Sequence, residues 1–246
     1  MKKLISYALM AACLAPSAAS ASGIAIDSMI GFTKNGVGKF TVTNTAEYRQ
    51  FIQIAISDIE IKNGQLVKTP YTRENINQWS MNARPARAVI EPGLKKDFQF
   101  SYEPKVKSKT DQDHIYQFTF VPTPYFPNGE KEQSTMQVAI GFAPVVIVPA
   151  EEDQPITFDI KSNGDKLQIK NNGKTYLRAH LDTCSATATG VERKQCTDVV
   201  YVLSGRDLNV PLADVMQNKP MKVTFSTHEY KYKDTISLPV GAKLSK

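Results

Sequence analysis

Residues Asn35–Asn44 read NGVGKFTVTN, a turn pair followed from Lys39 by an alternation of polar and apolar side chains. Asn-Gly supplies the positive φ that tight hairpins need, and period-two alternation places every second side chain on one face of a half-buried strand. The same pairing of signals recurs along the chain. Asn63-Gly64, Asn128-Gly129, Asn163-Gly164 and Asn172-Gly173 supply further turns. Alternating runs of about five residues lie between them: Lys39–Asn44 (KFTVTN), Phe51–Ile56 (FIQIAI), Asp97–Tyr102 (DFQFSY), Ile115–Val121 (IYQFTFV), Ile156–Ile160 (ITFDI), Lys166–Lys170 (KLQIK) and Lys222–Ser226 (KVTFS). The one helical turn the sequence predicts is short, around Glu74–Met81. Many short strands at regular spacing specify β-sandwiches and exclude βαβ units, so the fold class is all-β.

The length of 246 residues, 41% hydrophobic, suits one large or two modest domains. A break falls in Pro149–Pro155 (PAEEDQP), where two prolines and three acids follow a long apolar run. Residues 22–149 and 150–246 are then each the size of one immunoglobulin-like sandwich. Residues 1–21 read as a secretory signal. Lys2 and Lys3 form its positive start, Leu4–Leu14 its apolar stretch and Ala19-Ser20-Ala21 its small-residue cleavage site. A lipoprotein signal through Cys13 is the weaker alternative, because few apolar residues precede that cysteine. Without Lys2 and Lys3 the 30 basic residues fall to 28 against 24 acids, a net +4. That surplus contains no arginine-rich block and argues against a nucleic-acid partner.

An exported chain with Cys184 and Cys196 remaining is expected to form one disulfide in an oxidising compartment. A metal site is the weaker reading, since no histidine or third cysteine lies at ligand spacing. Enzymatic motifs are missing: His114, His180 and His228 sit in no H-E-x-x-H or G-x-S-x-G setting. Asp111 and Asp113 read as turn-forming acids rather than a cation site. Trp79, with Tyr71 nearby, is thin support for a sugar platform. Neither an enzyme nor a cofactor is expected.

Ser134–Pro149 reads STMQVAIGFAPVVIVP. Met136, Val138, Ile140 and Phe142 share one face by period two, and the run is longer than an ordinary strand. Long apolar edges are usually blunted by lysine or proline, and here the first such residue is Pro144. The run therefore reads either as a core strand or as an edge strand whose outward-facing side chains fill a partner's groove by strand addition. Such an edge also admits a homodimer through edge pairing.

Taken together, these features resemble the periplasmic chaperones of the chaperone–usher pathway of pilus assembly, especially the alternate-branch type. The resemblance rests on the signal segment, two sandwich-sized halves and the alternating run into Val145–Pro149 (VVIVP). It is strengthened by Ala88–Gly93 (AVIEPG), by His114–Pro122 (HIYQFTFVP) with Tyr116 at a characteristic position, and by Asn171–Arg178 (NNGKTYLR) ahead of the two cysteines. It implies two immunoglobulin-like domains set in an L or boomerang. It also implies a donor strand at Met136, Val138, Ile140 and Phe142 that complements pilin subunits, and delivery of those subunits to an outer-membrane usher from the periplasm. In the best-known branch, basic residues on the first strand and the donor strand bind the pilin's terminal carboxylate. Neither Gly23–Phe32 (GIAIDSMIGF) nor Met136–Pro149 carries Lys or Arg. Lys39 and Arg49 are the candidate anchors in their place. The alternative is an exported structural or adhesive fimbrial component, or a carbohydrate-binding module. The connection Phe126–Gln133 (FPNGEKEQ) is expected to order on partner binding.

Overall fold

A computed structural model describes residues 23–105, 109–127 and 140–246. Among them, the amino-terminal strands are β1 (Ile24–Ile26), β2 (Ile30–Phe32), β3 (Val37–Asn44), β4 (Gln50–Lys62), β5 (Gln65–Pro70), β6 (Met81–Arg84), β7 (Arg87–Ile90), β8 (Lys95–Tyr102), β9 (His114–Pro124) and β10 (Val145–Val148). They form one sheet in the order β1-β3-β8-β6 and a second in the order β2-β10-β9-β4-β5, with β7 also on β4. Inward residues of the alternating runs meet between these sheets. Phe40 packs on Phe100 and Phe120 at ring distances of 5.1 and 5.8 Å, and Phe98 on Phe120 at 5.4 Å. All four rings are buried, as the period-two pattern requires.

The later strands are β11 (Phe158–Ser162), β12 (Lys166–Asn171), β13 (Leu177–Asp182), β14 (Thr197–Val202), β15 (Asp207–Pro211), β16 (Met221–Ser226), β17 (Lys233–Leu238) and β18 (Lys243–Ser245). Sheets β15-β12-β11-β18 and β14-β13-β16-β17 enclose a second core containing Phe158, Ile160, Leu181, Val223 and Phe225. The fold is all-β, as the sequence indicates.

Several local expectations need correction. Asn35-Gly36 and Asn63-Gly64 do take positive φ at both residues, and Asn63-Gly64 closes the two-residue hairpin between β4 and β5. At Asn163-Gly164 only the glycine is left-handed, and at Asn172-Gly173 neither residue is. There the Gly173 N–H bonds the Asn171 side-chain oxygen at 2.8 Å, an Asx turn in place of a hairpin turn. Asn128-Gly129 lies outside the described residues. Strand β4 runs well past the predicted Phe51–Ile56 because β5 pairs with its second half. The expected turn near Glu74–Met81 is a 3₁₀ turn at Arg73–Gln78. A short helix, α1 (Gly190–Gln195), was not legible. It lies inside the loop closed by the Cys184–Cys196 disulfide, whose Cα atoms are 5.1 Å apart.

The same device closes both sandwiches. Asn44, at the end of β3, donates from Nδ2 to the carbonyls of Tyr48 and Ile90 and accepts the Ala46 N–H. Asn171, at the end of β12, donates to the carbonyls of Thr175 and Val202 and accepts the Gly173 N–H. Each is fully buried and ties one sheet to a strand of the other. Orphaning buried polar groups costs about 1–3 kcal/mol apiece, so Asn171→Ala is expected to lower stability by about 2–4 kcal/mol in urea unfolding. A change below about 0.5 kcal/mol would show that the cross-sheet bonds contribute nothing.

Candidate functional site

The chain's first strand does not stay in one sheet. β1 pairs antiparallel with β3, whereas β2 pairs parallel with β10 in the opposite sheet. Ser28 makes the crossing: its Oγ accepts the Ile30 N–H at 3.1 Å and donates to the Ile30 carbonyl at 2.6 Å. This switch decides what lies beside the segment before β10. From Val145 onward β10 is paired on both sides, by β9 and by β2. Residues Phe142–Pro144 follow β9 alone. Phe142 exchanges both backbone hydrogen bonds with Phe120, at 2.7 and 3.2 Å, and the Pro144 carbonyl accepts the Phe118 N–H at 3.0 Å. Among the described residues, Gly141 has no backbone partner on the outer side of this segment, nor does the Ala143 N–H. An edge of unpaired donors and acceptors therefore opens where β2 departs.

The two described side chains of the run, Phe142 and Ile140, differ in burial. Phe142 lies opposite Phe120 and packs against the amino-terminal core, so its face is the core side of the sheet. Ile140 is 43% exposed. Among the described residues, backbone pairing with β9 stops at Phe142, whereas β9 and β4 stay buried further along at Pro122 and Ile52, so Ile140 is exposed because its segment leaves the sheet. Met136 and Val138 lie outside the described residues, as does most of Phe126–Gln133.

Both candidate anchors are already engaged. Lys39, on the solvent face of β3, contacts Asp97 at 2.7 Å, and this hydrogen bond raises the ammonium pKa and lowers that of Asp97. Arg49 Nε contacts Glu91 at 2.8 Å. Sequence alone does not reveal either pairing, because 58 residues separate Lys39 from Asp97 and 42 separate Arg49 from Glu91.

An open cleft of about 1010 Å³ lies where β2 and β10 end against the second sandwich. Lys34, Lys109, His114, Val148, His228 and Glu229 are among its walls. Lys34 and Lys109 form no ion pair among the described residues, and the Lys109 carbonyl is held by His114 Nε2 at 2.8 Å. Phe32, ending β2, fixes one side of the cleft. Its ring lies 5.3 Å from Tyr176, 5.3 Å from His228 and 6.0 Å from Tyr201.

Asp113 fixes the other side. Its carboxylate accepts the Tyr176 N–H at 2.6 Å and the Ala150 N–H at 3.0 Å, while Asp111 pairs with Lys174. These bonds account for the acids near His114 as junction residues. Among the described residues no group of three metal-ligating side chains occurs. The β4–β5 hairpin makes a third contact. Arg206 donates to the Gly64 carbonyl at 2.8 Å, and a Cβ at Gly64, whose φ is +75°, would stand 2.9 Å from Asp207. Trp79 stacks on Tyr71 at 5.0 Å and donates to Asn75, so the pair forms a small local cluster.

Burial raises the Asp113 pKa above its ordinary 3.8, against the pull of the two N–H donors. Folding therefore makes Asp113 easier to protonate than it is in the unfolded chain. Stability contributed by this titration is present below pH 3.8 and is lost as the pH rises through the raised value. Asp113→Asn removes this component. The stability of the native chain relative to Asp113→Asn is expected to fall as pH increases across that window. A rising difference would mean that the N–H donors outweigh burial.

Comparison with known proteins adds the family. An Escherichia coli relative described as an uncharacterized 25.9 kDa protein in the CS5 3′ region is 26% identical over 208 residues, 82% of this chain and 86% of the relative. Among solved structures, a chain of the Salmonella enterica SafA pilin–SafB chaperone complex matches with a TM-score of 0.52 and 14% identity. That match covers 87% of this chain and 96% of the other. The periplasmic chaperone SfaE matches with a TM-score of 0.50 and 11% identity, over 89% of this chain and all of SfaE. The fold is thus the two-domain β fold of pilus chaperones. Residues 26–149, which carry the sheet switch and the open edge, match the family described as the CS5 fimbrial protein N-terminal domain, and the chain belongs to that family.

Proposed function

We propose that the chain is a periplasmic chaperone that captures pilin subunits by donor-strand complementation and passes them to an outer-membrane usher. The observation that carries this reading is the open edge at Ile140–Pro144, flanked by an exposed apolar side chain and leading into the cleft. Residues 22–149 would carry the donor strand through Met136, Val138, Ile140 and Phe142, and 150–246 the disulfide-bearing second domain. A partner strand added there gains main-chain hydrogen bonds worth about 0.5–1.5 kcal/mol each. Each large apolar side chain it buries adds about 1.5–3 kcal/mol. Ordering costs offset part of that sum, yet a surplus remains to hold an incomplete partner.

A terminal carboxylate on the partner would find two unengaged ammonium groups in the cleft, Lys34 and Lys109. We favour these over Lys39 and Arg49, which would first have to release Asp97 and Glu91. A bond at the cleft end fixes register, which a period-two groove requires because a one-residue slip reverses every side chain.

The test is to tag the full chain, purify it from the periplasm of cells expressing their complete pilus operon, and weigh what accompanies it. A stoichiometric partner of pilin size is expected. A lone monomer would instead favour a structural or adhesive fimbrial component, the role the family's description as a fimbrial protein would suggest.

A further inference from the structure

The outer face of β13, β16 and β17 carries a small open pocket of about 260 Å³, lined by Arg178, His180, Thr224, Ser226, Tyr230 and Lys233. It lies on the second sandwich, on residues shared with neither the donor edge nor the cleft walls. The register explains the cluster. Arg178 pairs with Ser226, His180 with Thr224, and Ser226 with Lys233, so these side chains project from one face. Tyr230 closes the top from the turn between β16 and β17, with a left-handed φ of 61° and 58% exposure.

No carboxylate balances this pocket among the described residues. Asp182, two positions along β13, is taken by Arg193 at 2.7 Å and by the Cys184 N–H at 2.9 Å. Asp234, beside Lys233, pairs with Lys246 at 2.8 Å. Glu229, beside Tyr230, lines the interdomain cleft. Arg178 spends Nη1 on the Tyr230 hydroxyl, and its guanidinium carbon lies 5.9 Å from the centre of that ring. Its Nε is buried and has no hydrogen-bond partner. A buried, unpaired guanidinium donor is rare in a folded protein because it forfeits its hydration without replacement.

We propose that this pocket is a docking site for a carboxylate of an acidic peptide segment on a partner protein. With Nη1 engaged, Nε and Nη2 remain as the planar edge that matches both oxygens of a carboxylate. The incoming carboxylate pairs with that edge while Nη1 stays on the Tyr230 hydroxyl. Lys233 supplies a second positive charge, and the Thr224 and Ser226 hydroxyls are available as neutral donors. Tyr230 and Val199, the latter opposite His180 and 37% exposed, give the peptide apolar contact on either side. The cations are gathered in one pocket, which suits a single side chain better than a bilayer surface.

The test follows the Arg178 Nε–H and the amides of Thr224, Ser226 and Tyr230 by nuclear magnetic resonance in the full mature chain. The probes are acetyl-tetraglutamate amide, inorganic phosphate and phosphatidylglycerol vesicles. The expected result is a saturable shift of all four signals with the peptide. Charge reversal at the exposed Lys233→Glu should weaken it about tenfold or more with the fold intact. Arg178→Lys, which keeps the charge and loses the planar edge, should weaken it comparably. The proposal is overturned by no saturable shift up to about 10 mM peptide, or by unchanged affinity in Lys233→Glu. Phosphate binding more tightly than the peptide, or vesicles binding where the peptide does not, overturns it as well.

Discussion

Ile140→Asp is expected to leave the free chain folded and to reduce capture of a pilin subunit by about 100-fold or more. The two halves of this result have separate causes. In the free chain Ile140 is 43% exposed, and substitutions at such positions usually shift stability by within about 0.5 kcal/mol. In a complex the same side chain would enter an apolar groove, where an unpaired carboxylate loses hydration with nothing to replace it. Thermal unfolding and co-purification, run on the same preparation, separate the two. If the melting temperature drops by more than about 5 °C, Ile140 belongs to the core and the donor-edge reading fails. An unchanged yield of partner with an intact fold would place capture elsewhere.

Phe120→Ala should produce the opposite pattern, a loss of about 3–5 kcal/mol in the stability of the free chain. Phe120 is fully buried, 5.8 Å from Phe40 and 5.4 Å from Phe98, and its backbone is the partner of Phe142. Truncation removes ring contacts on several sides at once, and strands from both sheets limit how far the cavity can collapse. Urea unfolding followed by Trp79 fluorescence reports this sandwich specifically, because Trp79 is the chain's single tryptophan and lies within it. A loss below about 1 kcal/mol would mean that the core repacks freely, contrary to the usual density of protein interiors.

Period-two alternation in KFTVTN, DFQFSY and IYQFTFV was enough to find β3, β8 and β9, because strand periodicity is a local steric property of the chain. Asn35-Gly36 and Asn63-Gly64 were equally legible, since left-handed φ is tolerated by few residue types. Cys184 and Cys196 had one pairing available, and they are bonded. Longer-range features were hidden. The clamp at Asn44 looked like any polar end of a strand, because its acceptor at Ile90 is 46 residues away. The engaged state of Lys39 and Arg49 was invisible for the same reason.

The sequence by itself determined the all-β class, the turns at Asn35-Gly36 and Asn63-Gly64 and the fact that Ile140 and Phe142 share a parity. Alternation defines two faces without naming which is inside. Tertiary structure alone decided that Phe142 turns toward the core, that Ile140 is left exposed, and that the edge opens where Ser28 sends the first strand to the other sheet. Each of these depends on what lies across a hydrogen-bonded edge or beneath a sheet. Neighbours of that kind are brought together only when distant segments pack.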